Sequence, residues 1–280
     1  MTWLGTAGFV VRTAGGTTLL VDPFVTRQGL GHLVSSRIVP DDAEIARTIP
    51  ASVDAVLCGH SHYDHVADAP RIARLRGAKL VGSLSTCSWG RAEGLAENIL
   101  VRVPPSGAIL HVGDAEIRFV PSRHGKVAFG PLRIPQLPGE VAEPPALPAR
   151  ASAYRMGGAF GVLIRTPDLT IYHNGSADLI DAELDGERAD VLLACLAGRR
   201  GTQNYVARLL SALQPRLVVP AHQDAFFAPL SRGVHLLPKI DVEGFISEVK
   251  VHASGAAVIT PDYLEAIAIP TDARGAVITE

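Results

Sequence analysis

The chain has 280 residues with a formal net charge of −2, and 47% of its residues are hydrophobic. A chain of this length and composition buries a large core, which excludes a disordered or low-complexity protein. Because 26 Lys and Arg are offset by 28 Asp and Glu, a general electrostatic attraction to nucleic acid is excluded as well.

Short elements separated by turns are predicted throughout, because the chain contains 27 Gly and 20 Pro. Near the start, alternating apolar residues predict strands on either side of the turn Ala14-Gly15-Gly16. Residues 24–50 show little periodicity and are predicted to form a loop. The regular elements predicted up to residue 76 are strands over 2–12, 17–22 and 53–58 and a helix over 65–76.

The rest of the chain continues this alternation of strands and helices. Apolar residues at helical spacing predict a helix over 203–213, and Pro220 is expected to end the strand over 217–219. The other predicted elements are strands over 79–82, 108–112, 115–120, 160–165, 169–173 and 190–195, a helix near 241–250, and one or two strands near the C-terminus.

Prolines concentrate in residues 131–148, a stretch that therefore forms neither a regular helix nor a central strand. These prolines are Pro131, Pro135, Pro138, Pro144, Pro145 and Pro148. Two interpretations stay open: a surface loop or interdomain linker, and a rigid rim over an active site, because long loops in compact domains are often functional.

Signals for export or membrane insertion are not found in the sequence. The chain opens with an alternating β pattern, without a basic stretch followed by an apolar run, and no apolar run reaches the roughly 18 residues of a membrane span. Three cysteines are too few for a disulfide scaffold and favour a reducing compartment. We therefore expect a cytoplasmic protein.

The most informative segment is Cys58-Gly59-His60-Ser61-His62-Tyr63-Asp64-His65, directly after a predicted buried strand. It places three imidazoles and one carboxylate close together, and these are ligands that zinc prefers and that manganese and iron accept. A single histidine is more often structural, but four such groups are costly to desolvate without partners. The segment therefore favours a metal site. In a tight turn, His60 and His62 point to one ion, and Asp64 and His65 point to a second.

This segment resembles the His-x-His-x-Asp-His motif of the metallo-β-lactamase superfamily. Trp3-Leu4-Gly5-Thr6-Ala7-Gly8-Phe9 and Leu20-Val21-Asp22-Pro23-Phe24 resemble the opening strands of the branch that contains L-ascorbate-6-phosphate lactonase; N-acylphosphatidylethanolamine phospholipase D is a more distant relative. Val120-Pro121-Ser122-Arg123-His124 is similar to the segment with the third histidine of the first metal site. Val218-Val219-Pro220-Ala221-His222 is similar to the strand before the histidine of the second site. The resemblance spans residues 2–222 in the expected order.

The resemblance implies an α/β fold, the four-layered αβ/βα sandwich of the metallo-β-lactamases, in a single domain over 1–280 with the Pro-rich insert at about 130–150. It also implies two divalent metal ions, with zinc favoured over manganese and iron. The implied ligands are His60, His62 and His124 for the first ion and Asp64, His65 and His222 for the second. Asp22 is expected to orient a ligand imidazole, and its alternative role is to form a turn before Pro23.

One position departs from the family pattern, which places a bridging aspartate in a Gly-Asp pair after a strand. Here Gly175 is followed by Ser176, and the carboxylate of Asp178 comes two residues later. Because residues i and i+2 of an extended chain face the same way, Asp178 is predicted to bridge the two ions after a backbone bend that offsets a displacement of about 6–7 Å. In the alternative, Asp178 caps a following turn and Ser176 lines a site with weak or single metal occupancy.

We therefore expect a metal-dependent hydrolase that uses a metal-bridged hydroxide on a small ester, lactone or phosphodiester, with Asp64 as the catalytic acid/base group. The opening segments favour a small ester or lactone, with or without a phosphate. The predicted partner is a small-molecule substrate, without nucleic acid or a membrane span, and formation of a homo-oligomer stays open. The Gly175-Ser176 pair also supports an alternative, a catalytically reduced metal-binding or regulatory protein on the same fold.

Two further sets of side chains have a functional and a structural interpretation. One set either clamps an anionic substrate or consists of solvated loop residues: Arg123, Arg155, Arg199 and Arg200. The aromatic pair Phe226 and Phe227 either lines a substrate pocket or belongs to the core.

Overall fold

The structure, a computed structural model, describes residues 1–126 and 136–269 and, between them, only the backbone of two short strands. Pro131 and Pro135 of the predicted insert, and any strand after residue 269, lie outside the described residues. Within the described part of the chain, no helix is long and apolar enough to cross a membrane.

Strands from the first part of the chain form a six-stranded sheet whose spatial order follows the sequence. They are β1 (Thr2–Gly5), β2 (Gly8–Arg12), β3 (Thr18–Val21), β4 (Ala55–Leu57), β5 (Lys79–Gly82) and β6 (Leu100–Arg102). The first three pair antiparallel, and β3 to β6 pair parallel. The predicted strand over 2–12 is instead a hairpin, because Gly5 (φ +83°) and Thr6 (φ +52°) turn the chain between β1 and β2.

Later strands form a seven-stranded sheet. In spatial order they are β15 (Ala257–Val258), β14 (Leu217–Ala221), β13 (Val191–Cys195), β12 (Thr170–Asn174), β11 (Phe160–Arg165), β8 (Ala115–Pro121) and β7 (Ala108–Val112). β12 to β15 are parallel, and β11 is antiparallel to both β12 and β8, so β8 and β12 run in the same direction. A separate hairpin is formed by β9 (Ala128–Phe129) and β10 (Leu132–Arg133).

The prediction that Pro220 ends its strand is wrong, because β14 continues to Ala221. β15 pairs with Leu217 and Val218 and ends before it reaches the level of Pro220. A proline is tolerated there because the ladder on that side has already stopped, which makes this part of β14 an edge.

The helices cover the two outer faces of the sheets. They are α1 (Leu30–Ser35), α2 (Asp42–Thr48), α3 (Tyr63–Val66), α4 (Ala69–Arg76), α5 (Leu84–Ala92), α6 (Tyr205–Leu213) and α7 (Val242–His252). Ile72 of α4 and Trp89 of α5 pack on the first sheet. Leu209 of α6 and Phe245 of α7 pack on the second.

A third apolar cluster lies between the sheets and contains side chains of both, such as Phe9 and Leu57 from the first and Ile117 and Val162 from the second. Each sheet thus buries both faces, one against a sheet and one against helices. The layers follow the order helix, sheet, sheet, helix, which confirms the predicted four-layered αβ/βα sandwich.

The segment over 24–50 is not the predicted loop, since it contains α1 and α2. The side chain of Asp41 accepts hydrogen bonds from the backbone N–H groups of Ala43 and Glu44, both at 3.0 Å, and so begins α2. Each helix spans less than two turns, too short for a recognisable 3.6-residue period. α5 and β6 likewise lie where the sequence pattern predicts no element.

Candidate metal centre

The predicted metal ligands follow the carboxyl ends of strands that share one edge of the sandwich. Asp22 follows β3, His60 and the rest of its motif follow β4, His124 follows β8, and His222 follows β14. Because these strands run in the same direction within each sheet, their ends meet at one edge of the sandwich. The motif itself turns into the short helix α3, which holds Asp64 and His65 on adjacent positions.

The first group that the fold assembles consists of His60, His62 and His124, each of which offers one ring nitrogen within 4.8 Å of those of the other two. His62 Nδ1 is 3.1 Å from His124 Nε2. The other nitrogens of these two rings contact backbone carbonyls: His62 Nε2 is 2.7 Å from the oxygen of Gln136, and His124 Nδ1 is 2.8 Å from that of Gly125.

These contacts fit a bound metal ion. A carbonyl oxygen only accepts hydrogen bonds, so His62 Nε2 and His124 Nδ1 carry the ring protons. The nitrogens that face each other, His62 Nδ1 and His124 Nε2, therefore present lone pairs. His60 Nε2 is buried and has no hydrogen-bond partner within the described structure. Two facing lone pairs beside a buried, unpartnered imidazole nitrogen are costly unless a cation lies among them.

The second group consists of Asp64, His65 and His222. The Oδ2 atom of Asp64 is 3.2 Å from His222 Nε2 and 3.8 Å from His65 Nε2. The other ring nitrogen of His65, Nδ1, lies 2.9 Å from Oδ2 of the fully buried Asp22. The second oxygen of Asp22 accepts a hydrogen bond from the backbone N–H of Gly59 at 2.7 Å. Asp22 thus occupies the position predicted for a carboxylate that orients a ligand imidazole.

Electrostatics keep His60, His124 and Asp64 in forms that bind metals, whereas the carboxylates beside His65 favour its protonated form. Burial, together with the neighbouring imidazoles, holds the pKa of His60 well below its usual range, and the same causes lower the pKa of His124 to about 3. Burial alone raises the pKa of Asp64, but the charge of His65 and the contact with His222 outweigh it and lower that pKa. Burial likewise opposes protonation of His65, whose pKa is nevertheless raised by the carboxylates of Asp22 and Asp64. His60, His124 and Asp64 are therefore neutral imidazoles and an ionised carboxylate at neutral pH.

Asp178 is not brought to these groups. Its backbone N–H donates to the carbonyl of Ser176 at 2.9 Å, and its Oδ1 accepts from the N–H of Leu179 at 2.8 Å and lies 3.9 Å from Arg208 Nη1. Because β12 ends at Asn174 and the chain then turns, Ser176 and Asp178 do not face the same way as they would in an extended strand. Ser176, in contrast, lines the cavity beside the cluster.

A cavity of about 190 Å³ opens onto both groups. Besides the six ligand candidates, its described lining consists of Tyr63, Gln136, Leu137, Gly175, Ser176, Cys195, Ala197, Phe226, Phe227 and Leu237. Phe226 and Phe227 thus line the pocket, and Phe226 also belongs to the core. Gln136 and Leu137 come from the Pro-rich insert, so this end of its described part lines the cavity. No local sequence signal marks these two residues or Leu237.

None of the described residues lining this cavity is Lys or Arg. The four arginines considered for an anion clamp lie elsewhere. Arg199 forms an ion pair with Glu248, and Arg200 pairs with Asp241 at 2.7 Å. The described wall thus combines metal-binding groups with an apolar and aromatic surface.

Two face-to-face sheets with a cluster of His and Asp at their strand ends define a metallo-β-lactamase fold. The sequence profile of the "Beta-lactamase superfamily domain" matches residues 1–222. A UPF0173 metal-dependent hydrolase of Pyrobaculum arsenaticum is 31% identical, covering 82% of this chain and 85% of the relative. One from Anaeromyxobacter dehalogenans is 30% identical, covering 81% and 75%. Igni18, a metallo hydrolase from Ignicoccus hospitalis, has the same fold with a TM-score of 0.58 at 19% identity, covering 94% of this chain and 95% of that one.

The chain belongs to the metallo-β-lactamase superfamily and, within it, to the UPF0173 metal-dependent hydrolase family. This membership supports the predicted class, a metal-dependent hydrolase, and leaves open the bond that is cleaved. The predicted branch with ascorbate-phosphate lactonase is not among these findings and stays a prediction.

Proposed function

We propose that the cavity is the active site of a hydrolase that acts on a small, neutral carboxylic ester or lactone. The main support for this substrate class is the composition of the cavity wall, whose described residues include no Lys or Arg. A phosphodiester or phosphorylated substrate keeps its negative charge throughout, and in addition to metal ions, Arg or Lys side chains are the usual groups that bind it. An ester or lactone needs no such partner and gains instead from contact with Phe226, Phe227 and Leu237.

In this proposal His60, His62 and His124 hold one divalent ion, with zinc favoured, and Asp64, His65 and His222 form the place for a second. A divalent ion bound there supplies positive charge that polarises the scissile carbonyl and makes nearby water more acidic. The bridging role once expected of Asp178 is not part of the proposal, since its carboxylate faces Arg208.

The chain's own groups position the reacting parts. Asp64 lines the cavity, and because its pKa is lowered it is ionised at neutral pH, so it accepts a proton from water or orients that water. The hydrogen bond from His65 to Asp22 keeps the His65 ring in one orientation. Phe226 and Phe227 exclude solvent from one side of the cavity, which strengthens electrostatic interactions inside it.

Metal content and substrate class test this proposal together. We expect zinc to copurify with protein prepared without chelator, as measured by elemental analysis. We then expect hydrolysis of p-nitrophenyl butyrate and δ-valerolactone to exceed that of bis(p-nitrophenyl) phosphate, to be lost with chelator and to return with zinc. Asp64→Asn should abolish turnover. Protein without metal that also does not rebind zinc, manganese or iron contradicts the metal-dependent reaction, and a preference for the phosphodiester contradicts the substrate class.

A second candidate function is favoured by Ser176, which occupies the cavity wall without supplying a carboxylate. In this case the protein binds metal but turns over slowly or not at all, and acts as a metal-binding or regulatory protein. Tight zinc binding together with no turnover of any of the three probe classes is the result that favours this candidate over the hydrolase.

A further inference from the structure

A buried ion pair lies directly behind the second group of ligand candidates. Arg27 Nη1 is 2.7 Å from Asp224 Oδ2, and the two side chains are 1% and 0% exposed. Asp224 follows His222 by two residues, whereas Arg27 lies 197 residues away in the sequence. A buried ion pair is weak evidence for stability, because desolvation offsets most of the attraction between the charges. Its placement beside His222 points instead to a role in positioning.

Asp224 is connected to His222 through the β1–β2 turn. Its Oδ1 atom accepts a hydrogen bond from the backbone N–H of Thr6 at 2.9 Å. The carbonyl of Thr6 in turn accepts from the backbone N–H of His222 at 2.7 Å. Both Thr6 (φ +52°) and His222 (φ +58°) have left-handed backbones, which side-chain-bearing residues adopt only when their surroundings hold them there. The Asp224 carboxylate supplies one of these constraints.

Tyr263, from the C-terminal part of the chain, contacts both members of the ion pair between Arg27 and Asp224. The hydroxyl of Tyr263 donates to Asp224 Oδ2 at 2.8 Å, and its ring centre is 5.0 Å from the guanidinium carbon of Arg27. Arg27 also packs over Gly5, where an added Cβ would lie 1.8 Å from Nη2, so only glycine leaves room for the guanidinium. Asp224 and Tyr263 both lie beyond residue 222, where the family match ends.

We propose that Asp224, held by Arg27 and Tyr263, is a positioning residue that sets the backbone conformation of His222 through Thr6. The proposal rests on the proposed ligand set, in which His222 belongs to the second group with Asp64 and His65. Removal of the Asp224 charge therefore weakens metal binding at that group. Binding at His60, His62 and His124, which do not touch this network, stays unchanged.

Asp224→Asn tests this directly, because it preserves the volume of the side chain and removes its charge. We expect the weaker of two stepwise zinc dissociation constants, measured by competition with a chromophoric chelator, to rise by about tenfold or more. Tyr263→Phe leaves the ion pair in place and removes the two hydrogen bonds of the Tyr263 hydroxyl, one to Asp224 and one from Arg27, so its shift should be smaller. When cobalt replaces zinc, the visible absorption that comes from the second bound cobalt ion should differ between Asp224→Asn and the wild-type protein.

Glu187→Gln is the matched control. Glu187 is nearly as buried and pairs with Arg118 and Arg165, which do not line the cavity. This variant should lower the thermal midpoint without shifting either zinc constant. If Asp224→Asn behaves in the same way, with a lower midpoint but wild-type zinc constants and cobalt spectrum, Asp224 is merely structural and the proposal is overturned.

A metal-free readout separates this proposal from the proposed function. His222 is buried, and its modification by diethyl pyrocarbonate can be followed by peptide mass mapping of native protein. Release of the His222 segment in Asp224→Asn should raise the modification rate several-fold, whereas Glu187→Gln should not. If the wild-type protein binds no metal, the proposed function fails while this comparison still decides whether Asp224 positions His222; an unchanged rate overturns the positioning role.

Discussion

The backbone N–H of Gly125 donates a hydrogen bond to the hydroxyl of Ser176 at 2.9 Å. This bond ties the loop that carries His124 to the end of β12, at the position where the family pattern places a metal-bridging aspartate. Ser176 therefore stabilises the geometry of the first ligand group without adding charge to it. The nearby carboxylate of Asp178 is directed to Arg208 and contributes nothing to the described lining of the cavity.

Ser176→Asp and Asp178→Asn form an informative pair of variants. We expect Ser176→Asp to tighten binding of the second zinc ion by about tenfold or more, because it adds an anionic ligand beside the cluster. Asp178→Asn should leave both zinc constants unchanged. Metal titration on both variants checks this, and weaker zinc binding in Asp178→Asn would restore the bridging role that the sequence first indicated.

The bond between Asp22 and His65 is expected to matter for metal affinity. Asp22→Asn replaces one acceptor oxygen with a donor amide, so His65 no longer has a carboxylate that fixes its proton on Nδ1. We expect zinc affinity to fall by about 10- to 100-fold, as measured by chelator competition. Asp54→Asn is the control, since the Asp54 side chain accepts from the N–H of Thr18 at 2.8 Å and does not line the cavity. Equal affinities in the two variants would contradict a role for Asp22 in orienting the ligand.

Phe227 is expected to determine which acyl groups the site accepts. It lines the cavity and is only partly buried, so its truncation should disturb the fold less than truncation of the buried Phe226. In Phe227→Ala, kcat/KM for p-nitrophenyl butyrate should fall by about tenfold, with a smaller loss for the acetate, because the longer chain makes more apolar contact. Val251→Ala, on the exposed face of α7, should change neither value. Equal losses on both esters would contradict an acyl-binding wall.

The three cysteines are expected to be inert in the folded protein. All are buried and free, and burial raises the pKa of Cys87 to about 11 and those of Cys58 and Cys195 further. A raised pKa leaves almost no thiolate at pH 8, and the thiolate is the reactive form. Ellman's reagent should therefore titrate no thiol at pH 8 in native protein and three in guanidinium chloride. Rapid labelling of native protein, above all at Cys195 in the cavity wall, would contradict this expectation.

Sequence patterns predict the site best where its residues lie close together in the chain. The spacing of His60, His62, Asp64 and His65 predicts convergent ligands because one turn after β4 brings them together without help from the rest of the chain. The resemblance of the later segments to the metallo-β-lactamase superfamily indicated His124, His222 and the layered fold. The helices α1 and α2 show no recognisable period in the sequence because each is shorter than two turns. Asp178 lies beyond the end of β12, where the alternation of an extended strand no longer fixes the direction of a side chain.

The sequence by itself thus determined the type of site through the short-range spacing of one motif, and it determined the class of fold and the remaining candidate ligands through its resemblance to a known superfamily. Only the tertiary structure decided which other side chains surround the candidate ligands. Gln136 and Leu237 reach the cavity from separate segments, and Arg27 meets Asp224 across 197 residues. Such contacts leave no periodic trace, because they arise from how the two sheets and their loops pack rather than from the local conformation of any one segment.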